Sequence, residues 1–454
     1  MKVCLMLHPA WTIRTPPLGL SYISATLRRA GYEVFVRDCN VEFYKFMKDF
    51  EIDLWHGKNY YLWYGKDFER VVLPHLDRYF DQILPEILSA SFDAIGLSVY
   101  DTSISSSIYF ATKIKPLLPQ IKIFVGGPAI TKEMAADFVN KGFIDAAVVG
   151  EGEIPVIALL DAFKENRVPS QVQQVVCRGE DGSVVINEMP RQFARLDEIP
   201  MPDFSDYNLS DYQMRQVPIM MSRGCVARCA FCGESVYWLK FRTRSPEGIV
   251  EEIERDISEY KVDWLAFNDS LINGDHQLLD RVCNLIIERE LKFIWGGYAR
   301  IDKALTPELL KKMHKAGIVY LSFGLESGSQ KVLDLMNKRF TIEEAERVIR
   351  GTHNAGIDVH LNIIIGFPNE DSVDFYKTLD FIYRNREYIK LVNTGDTCAI
   401  IPGTIMARFP ERFNIKYESP LDWYTLDNKN TLEIRRSRLE FLKRFLSDMN
   451  IEWY

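Results

Sequence analysis

The sequence predicts an α/β protein that contains two successive parallel sheets. Short β-rich runs alternate with helical patterns over residues 1–165, and the same alternation resumes at Val217. Alternation of this kind places successive strands side by side in parallel order and covers the sheet with helices. Residues 166–216 lack periodicity and are rich in proline, so we interpret them as a linker with a small hairpin at Asp181-Gly182.

The first domain, residues 1–165, is predicted to be a doubly wound, Rossmann-like parallel sheet. Sheets of this kind bind ligands beyond the C-terminal ends of their strands, where this sequence has glycine-containing turns. The predicted strands are Val3–Leu7, Glu33–Arg37, Ala94–Val99, Ile121–Val125 and Ala146–Val149. Apolar residues recur at helical spacing in the segments Leu18–Arg29, Ile104–Leu117 and Lys132–Asn140.

An insertion at residues 41–85 interrupts this alternation. It contains many aromatic side chains, among them Phe43, Trp55 and Trp63. Insertions of that length usually have a function or cover something. The alternative is a helical flap whose aromatic side chains simply pack against the domain.

Residues 217–405 are predicted to form a partial (β/α)6 barrel, whose working face lies at the C-terminal ends of its strands. Its strand patterns are Pro218–Met221, Trp264–Asn268, Phe293–Gly297, Val319–Phe323, Val359–Ile365 and Val392–Ile400. Helical patterns fill the gaps at Pro246–Tyr260, Gln277–Glu290, Pro307–Lys315, Ile342–Asn354 and Ser372–Arg386. The small C-terminal region, residues 406–454, contains a charged amphipathic helix at Thr431–Met449.

The composition of the 454-residue chain excludes several classes of protein. Its 55 basic and 63 acidic residues give a net charge of −8, unlike the basic surfaces that wrap nucleic acid. The chain has no run of about 18 apolar residues, the length that a membrane span requires. The apolar run in the N-terminal sequence MKVCLML is too short for a secretion signal, and we predict that this segment forms a strand. We therefore expect a cytoplasmic protein that neither binds nucleic acid nor spans a membrane.

Three of the eight cysteines form a CxxxCxxC pattern directly after the first strand of the second domain. Without a secretion signal, such a cluster is more typical of metal binding or redox chemistry than of disulfides. Cys225, Cys229 and Cys232 are predicted to hold three irons of a 4Fe-4S cluster, which normally has four cysteine ligands. Because no fourth cysteine lies nearby, one iron would stay open for an outside ligand, as in a working metal site.

Three other interpretations of these cysteines stay open. A zinc site would need a second close ligand pair, and the sequence has no CxxC or HxxxH partner there. A redox pair formed by Cys229 and Cys232 would leave Cys225 unexplained. In the third interpretation all three thiols are buried structural residues.

The cysteine loop, with Phe231 before its last cysteine, resembles the signature of the radical S-adenosylmethionine (SAM) superfamily. Further landmarks of that superfamily follow in order over about residues 217–405, namely RSPE, WLAFND, RID, KAGIVYLSFGLESGS and LNIIIGFPNE. The resemblance implies an open iron that chelates SAM and a 5′-deoxyadenosyl radical that removes hydrogen from a substrate. In such enzymes the cofactor carries the chemistry, and the protein positions and shields it.

The same resemblance implies a set of contacts to SAM. These are Phe231, Ile364 and Gly366 for the adenine, Asn268 and Ser270 near the methionine amine, Arg300 for the carboxylate and Glu326 for the ribose or amine. The family's usual Gly-Gly-Glu is absent from the second strand, where Asn268 and Ser270 stand. The alternative for Arg300 and Glu326 is an ordinary buried salt bridge. The alternative for Gly366 is a plain turn after a strand.

Five landmarks of the first domain resemble the cobalamin-binding domain that precedes many radical SAM barrels, including those of methyltransferases and of cyclases of bacteriochlorophyll synthesis. They are RTPPLGLSYISATLRRAGYEV, Asp38, AIGLSV, IFVGGPAIT and VVGEGE. The resemblance implies a cobalamin pocket. Its candidate residues are Leu18, Ser98, Ser103, Gly126, Gly127 and Gly150.

The first domain departs from this family in one respect. Domains that ligate cobalt through the protein use an Asp-x-His-x-x-Gly motif, which none of His8, His56 and His75 forms. We therefore expect cobalamin that has no protein imidazole on its cobalt. The alternative is an empty domain that supports the barrel or a dimer contact.

Cobalamin-dependent radical methylation of an unactivated carbon in a small molecule is the leading hypothesis. One SAM would supply the deoxyadenosyl radical, and another would methylate the cobalt. The alternative is a cyclase, dehydratase or epimerase that forms no methyl product, for example on a carbohydrate. A non-enzymatic iron–sulfur sensor or scaffold is disfavoured, because a sensor has no need for a nucleotide-binding barrel. The implied partners are a small-molecule substrate, an electron donor such as flavodoxin or ferredoxin, and a second copy of the chain in a homodimer. The sequence identifies neither the substrate nor a catalytic side chain.

Overall fold

The computed structural model describes residues 1–188 and 195–454 and separates into two compact units, residues 1–218 and 219–454. Residues 189–194 of the predicted linker lie outside the described residues. Two sheets of seven strands each organise the part of the chain that is described. No helix in that part combines the length and the apolar character needed to cross a membrane.

The first sheet confirms the predicted doubly wound arrangement. Its strand order is β2-β1-β3-β4-β5-β6-β7, and strands β1 to β5 are parallel. The strands are β1 (Lys2–Leu7), β2 (Glu33–Asp38), β3 (Ala94–Ser98), β4 (Lys122–Gly126), β5 (Ala146–Val148), β6 (Val175–Arg178) and β7 (Val184–Ile186). The helices are α1 (Leu18–Arg29), α2 (Cys39–Phe46), α3 (Gly65–Asp67), α4 (Leu73–Ser89), α5 (Ile104–Ile114), α6 (Lys132–Lys141) and α7 (Pro155–Lys164).

The hairpin predicted at Asp181-Gly182 is present as β6 and β7. Strand β6 pairs antiparallel with β5, so the hairpin extends the first sheet. Part of the segment that we interpreted as a linker therefore belongs to the first unit. The domain boundaries at residues 165 and 216 stay predictions.

Both faces of the first sheet are buried by apolar side chains. On β1, Val3, Leu5 and Leu7 point into one hydrophobic core, while Cys4 and Met6 point into the other. Burial on both faces explains why the strands read as near-continuous hydrophobic runs in the sequence. It leaves the C-terminal edge of the parallel strands as the place where this sheet can meet a ligand.

The aromatic insertion packs into one of these cores. Phe43, on α2, and Trp63 are fully buried in the same cluster as Met6. The indole N–H of Trp55 donates a 2.8 Å hydrogen bond to Asn40 Oδ1, which also accepts from the backbone of Trp11 at 2.9 Å. These contacts support the alternative in which the insertion is a packed part of the domain.

The second sheet has the order β18-β15-β14-β13-β12-β11-β8, and its pairs from β11 to β18 are parallel. The strands from here on are β8 (Val217–Ile219), β9 (Ser222–Arg223), β10 (Arg242–Thr243), β11 (Trp264–Phe267), β12 (Ile294–Ala299), β13 (Ile318–Glu326), β14 (Asp358–Ile363), β15 (Leu391–Asn393), β16 (Ile415–Tyr417), β17 (Trp423–Thr425) and β18 (Glu452–Trp453). The helices are α8 (Glu234–Tyr237), α9 (Pro246–Tyr260), α10 (His276–Glu288), α11 (Pro307–Lys315), α12 (Gln330–Leu335), α13 (Ile342–Asn354), α14 (Ser372–Asn385), α15 (Ile405–Arg408) and α16 (Leu432–Asp448).

All six predicted strands of this sheet are present, and the predicted α/β fold class is confirmed. Two details differ from the prediction. Strand β15 ends at Asn393, although the pattern predicted a strand as far as Ile400. A seventh strand, β18, comes from the predicted helical C-terminal region and pairs with β15.

Candidate active site

The three predicted cluster ligands lie on the loop between β9 and α8, directly after the first strand of the second sheet. Cys225, Cys229 and Cys232 are all partly exposed, whereas the other five cysteines are buried. The loop begins at Gly224, which has a φ of +86°, and a Cβ there would lie 2.6 Å from the carbonyl oxygen of Lys240. Only glycine fits this turn without a clash.

A buried carboxylate anchors the start of the cysteine loop. Asp269 follows β11 and accepts hydrogen bonds from the backbone N–H groups of Met221 (3.0 Å) and Ser222 (2.7 Å). The hydroxyl of Ser222 donates a third hydrogen bond to it at 2.5 Å. Burial raises the pKa of Asp269 to about 6, although these hydrogen bonds act in the opposite direction. Asp269 therefore fixes the backbone that leads into the loop.

One of the predicted SAM contacts, Arg300, is among the charged groups that affect the pKa values of the thiols. Burial raises the pKa of all three thiols, that of Cys232 to about 11. The positive charges of Lys338 and Arg300 act in the opposite direction and lower the pKa of Cys229.

No group of three or more His, Cys, Asp and Glu side chains stands in metal-binding geometry within residues 1–188 and 195–454. The assignment of the three thiols as iron ligands therefore stays a prediction.

The chemistry of the donors nevertheless fits an iron–sulfur cluster. Three thiols on one short loop are the ligand type that such clusters require, and Cys229 is close enough to Cys225 and Cys232 to raise the pKa of both. Metal ligation by cysteine removes the thiol proton, so cluster binding would have to overcome the raised pKa values.

Glu326 forms a buried ion pair, but its partner is Lys338 and not Arg300. Lys338 Nζ lies 3.1 Å from Glu326 Oε1, and both side chains are about nine-tenths buried. Glu326 ends β13 beside an irregularity in the pairing with β14, and its φ is +67°. A left-handed conformation is costly for a residue other than glycine and is often found at functional sites.

Arg300 lies beside this ion pair. Its Nη2 donates to the carbonyl oxygen of Lys338 at 3.4 Å, and its Nε lies 3.8 Å from a carboxylate oxygen of Asp302. Nε is buried without a hydrogen-bond partner among the described residues. The side chain of Asn273 holds the backbone of Arg300 from both sides, at 2.9 and 3.0 Å. Arg300 is thus positioned firmly while its guanidinium keeps hydrogen-bonding capacity for an anion.

The other predicted contacts of the second strand meet the helix that follows the cysteines. Ser270 donates a short hydrogen bond to Glu234, the first residue of α8. The backbone N–H of Asn268 donates to Ile219 at 2.9 Å and so ties β11 to β8. Glu234 in turn influences the pKa of Cys225. The carboxylate of Glu234, which the sequence analysis did not single out, thus belongs to the site.

The predicted adenine contacts lie in an apolar cluster of the second unit. The rings of Phe231 and Phe367 meet edge to face, with centroids 6.4 Å apart. Ile364 packs against the same cluster, and its backbone N–H donates to Glu326 at 3.0 Å. Gly366 has a φ of +77°, and a Cβ there would lie 2.3 Å from the Arg435 side chain. The close approach of Arg435 explains why a glycine is needed at this position even when no ligand is bound. This agrees with the alternative in which Gly366 belongs to a plain turn after a strand.

The C-terminal helix α16 holds the turn that contains Gly366. Arg435 is fully buried, stacks 3.7 Å from the Trp423 ring and donates to the carbonyl oxygens of Trp423 (3.0 Å) and Leu421 (2.8 Å). One turn later, Arg438 forms a buried 3.0 Å ion pair with Glu370, which accepts the Gly366 N–H at 3.2 Å. Lys338, Arg435 and Arg438 were all missed by the sequence analysis.

The predicted cobalamin residues gather at the C-terminal edge of the first sheet. Ser98 ends β3, Gly126 ends β4, Gly150 follows β5 and Leu18 begins α1. Gly127 has a φ of +115°, and a Cβ there would lie 2.6 Å from a backbone oxygen of Val99. The buried Ser103 hydroxyl accepts the Tyr100 N–H at 2.9 Å. The edge is therefore compact and glycine-lined, while the role of each residue stays a prediction.

The histidine that follows β1 is enclosed within the first unit. His8 is fully buried, and its ring lies 4.5 Å from that of Phe110 and 5.3 Å from that of Phe80. Neither ring nitrogen has a hydrogen-bond partner among the described residues. Burial lowers the pKa of His8 to about 3. This histidine is thus neutral and walled in by aromatic rings.

Comparison with known proteins agrees with this geometry. A radical SAM superfamily domain matches residues 219–382, and a B12-binding domain matches residues 13–160. The anaerobic magnesium-protoporphyrin IX monomethyl ester cyclase of Rubrivivax gelatinosus is 29% identical in a 317-residue alignment that covers 67% of this chain and 56% of that protein. The cytidylyl-2-hydroxyethylphosphonate methyltransferase of Streptomyces wedmorensis is 27% identical in a 411-residue alignment that covers 80% of this chain and 72% of that protein.

A solved structure shows the same fold. The radical SAM methyltransferase TsrM from Kitasatospora setae, with cobalamin and a 4Fe-4S cluster bound, matches with a TM-score of 0.68 at 16% identity. The match covers 92% of this chain and 78% of TsrM. The chain spans little more than half the length of the Rubrivivax cyclase.

Residues 219–382 thus carry a radical SAM superfamily domain, and residues 13–160 carry a B12-binding domain. The cofactors of these two domain families are a 4Fe-4S cluster, SAM and cobalamin. The predicted family and cofactor types are thereby confirmed.

Proposed function

We propose that the protein is a cobalamin-dependent radical SAM methyltransferase that acts on an unactivated carbon of a small molecule. The observation that carries the proposal is the partly exposed three-thiol loop beside Arg300 and the buried Glu326–Lys338 pair, in a chain that also has a B12-binding domain. The Streptomyces protein, which is similar in sequence, and the Kitasatospora protein, which is similar in fold, are both methyltransferases. When bound, the cofactors supply the electron, the radical and the methyl group of the reaction.

The side chains of the second unit bind and orient SAM in this proposal. Cys225, Cys229 and Cys232 would hold the cluster, which would supply an open iron for SAM. Arg300 has unused hydrogen-bonding capacity for a carboxylate, and Glu326 can accept from an ammonium or hydroxyl group. The apolar cluster around Phe231 offers a dry surface for the adenine.

Cobalamin in the first unit is proposed to bind without a protein imidazole on its cobalt. The enclosure of His8 by Phe80 and Phe110 supports this, because that ring cannot reach a ligand without opening the core. An axial histidine also needs a partner on its second nitrogen, and His8 has none among the described residues.

The experiment reconstitutes the full chain anaerobically with iron, sulfide and hydroxocobalamin. We expect tight cobalamin binding on gel filtration, and a cob(II)alamin paramagnetic spectrum without hyperfine coupling to a protein nitrogen. Such coupling would contradict the proposed axial environment. If the protein cleaves SAM and binds no cobalamin, the methyltransferase proposal is wrong and the non-methylating alternative replaces it.

That alternative is a radical cyclase, dehydratase or epimerase. The similarity to the Rubrivivax cyclase favours it, since that relative is 29% identical to this chain over 67% of its length. A methylated product, detected by transfer of deuterium from methyl-labelled SAM, would exclude it. An electron donor such as flavodoxin or ferredoxin, a homodimer and a cytoplasmic location stay predictions.

A further inference from the structure

The second sheet has two unlike faces. Along β13 and β14, Leu321, Phe323, Val359 and Leu361 are fully buried, as expected for the face covered by helices. Side chains on alternate positions of a strand point to opposite faces. The intervening residues of both strands are mostly polar, and most of them are only partly buried. This polar face therefore lacks the apolar cover of its opposite side.

A hydrogen-bonded row of side chains crosses the polar face. Asn393, on β15, donates from Nδ2 to Asn362 Oδ1 on β14 at 3.0 Å. Asn362 in turn donates from its own Nδ2 to Ser322 Oγ on β13 at 3.1 Å. Both amides are half-buried, so part of their hydrogen-bonding surface reaches solvent. Three adjacent strands thus present one continuous polar row.

Aromatic side chains flank this row. Tyr298, on β12, is paired in register with Ser322 and is 54% exposed, which is unusual for a tyrosine in the middle of a sheet. His360, on β14, stacks on Tyr320 with ring centroids 4.9 Å apart and planes inclined by 15°. We call Tyr298, Ser322, His360, Asn362 and Asn393 the neutral strip.

The neutral strip separates two charged regions. Burial lowers the pKa of His360 from 6.5, and the charge of Lys390 lowers it further. The carboxylates of Asp358 and Glu452 act in the opposite direction but do not outweigh burial. Lys390 and Glu452 pair with each other at 3.5 Å. At the other end of the strands lie the charges of the candidate active site. Because the pKa of His360 is lowered, all five side chains of the strip are uncharged at neutral pH.

The strip is close enough to the active site to hold a substrate. Strands rise about 3.3 Å per residue, so Ser322 lies about 13 Å along β13 from Glu326. Asn362 lies only about 7 Å along β14 from Ile364 by the same measure. A small molecule on the strip can therefore present a carbon toward the cysteine loop.

We propose that the neutral strip binds the substrate through uncharged hydroxyl or carboxamide groups. As a substrate site it rests on the proposed function, because a radical enzyme must hold its substrate near the cluster. An apolar macrocycle would cover the half-buried amides and leave their remaining donors and acceptors unpaired, which is unfavourable. An anionic nucleotide would find no cation on the strip itself. Groups that both donate and accept hydrogen bonds, as hydroxyls and amides do, match the row from Asn393 to Ser322.

The test measures binding to the full chain without cluster or cobalamin, by saturation-transfer difference NMR. The neutral probes are myo-inositol, which carries hydroxyls, N-acetylalaninamide, which carries amides, and N-acetylglucosamine, which carries both. Cytidine monophosphate and magnesium protoporphyrin IX monomethyl ester are the charged and macrocyclic probes. We expect N-acetylglucosamine to bind more tightly than either of these two. Binding of only one of the simpler neutral probes identifies hydroxyl or amide as the recognised group.

Variants connect this binding to the strip. Asn362→Leu and Asn393→Leu should each raise the Kd for N-acetylglucosamine at least tenfold, and Ser322→Ala should raise it less. Asn284→Leu is the matched control, because Asn284 is a half-buried amide on α10, paired with Asp280. Its Kd should equal that of the unaltered protein. Circular dichroism verifies that each variant is folded.

The proposal is overturned if none of the neutral probes binds, or if binding survives unchanged in the folded strip variants. It is also overturned if the macrocycle or the nucleotide binds more tightly. SAM cleavage by the reconstituted enzyme is measured separately. Cleavage without probe binding contradicts the strip alone, whereas strip-dependent binding without any cleavage contradicts the proposed function alone.

Discussion

The two sheets of this molecule expose different parts of themselves. The central strands of the first sheet are buried by apolar side chains on both faces. The second sheet keeps a polar face with an exposed tyrosine and three partly exposed cysteines on the loop after its first strand. Residues of the same type therefore meet different surroundings in the two units. Cys4 and His8 in the first unit are enclosed, whereas the three cysteines of the loop and His360 on β14 are partly exposed.

The largest expected difference concerns the cysteines. Replacing Cys229 with Ala should abolish SAM cleavage and reduce iron content, because the remaining two thiols cannot complete the predicted site. Cys4→Ala, in the core of the first sheet, is the matched control and should keep both properties. Iron analysis and quantification of 5′-deoxyadenosine check the outcome. Normal iron content and cleavage in the Cys229 variant would remove the functional difference between the two regions.

A second prediction tests the buried charges of the second unit. Arg438→Met leaves Glu370 buried without its partner, and we expect it to lower the free energy of unfolding by about 3–5 kcal/mol. Adding Glu370→Gln should restore more than half of that loss, because the burial of an unpaired carboxylate is then removed. Urea unfolding followed by circular dichroism measures both variants. An undiminished loss in the double variant would show that helix packing, and not charge pairing, dominates there.

The smallest effect contrasts the histidines and depends on pH. The pKa of His8 is about 3 in the folded protein and near 6.5 when unfolded, so the unfolded chain binds the extra proton. Stability should therefore fall as the pH falls from 6.5 toward 3. At about pH 5 the loss from His8 is about 2 kcal/mol, at 1.36 kcal/mol per pKa unit.

His8→Leu should remove this part of the acid destabilisation, and it should also stabilise the first unit slightly at pH 7, because two unpartnered nitrogens leave the core. The same substitution at the half-buried His360 is the control and should change the pH dependence less. Thermal unfolding between pH 5 and 8 measures both variants. Equal pH profiles for His8→Leu and the unaltered protein would mean that His8 is hydrated in solution.

Local patterns predicted most of the fold. Helix α1 occurs from Leu18 to Arg29 as predicted, because its apolar spacing follows Pro16-Pro17 and ends before Gly31. The apolar runs of β1 and β3 were equally clear, since both their faces are buried. Strand β18 was missed because two residues carry no pattern, and only the distant pairing with β15 defines them.

The candidate site was predicted less completely. The cysteine loop was visible because its three ligands are adjacent in sequence. Lys338 was not, since its pairing with Glu326 depends on how β13 and the segment after α12 fold together. Arg435 and Arg438 lie on a helix whose charged pattern predicts a solvated face. In the structure, Arg435 is buried against Trp423 and two backbone carbonyls, which no periodicity indicates.

The attachment of α16 to the turn at Gly366 bears on how the enzyme would lose activity on warming. Helices at the periphery of a domain can open locally at lower free energy than the central strands of a sheet. When α16 opens, Arg435 and Arg438 leave the turn, and Glu370 loses its buried partner. Heat inactivation would then follow the opening of this one helix, at a temperature where the sheet is still intact. The amide protons of α16 would exchange with solvent over the same temperature range in which activity disappears.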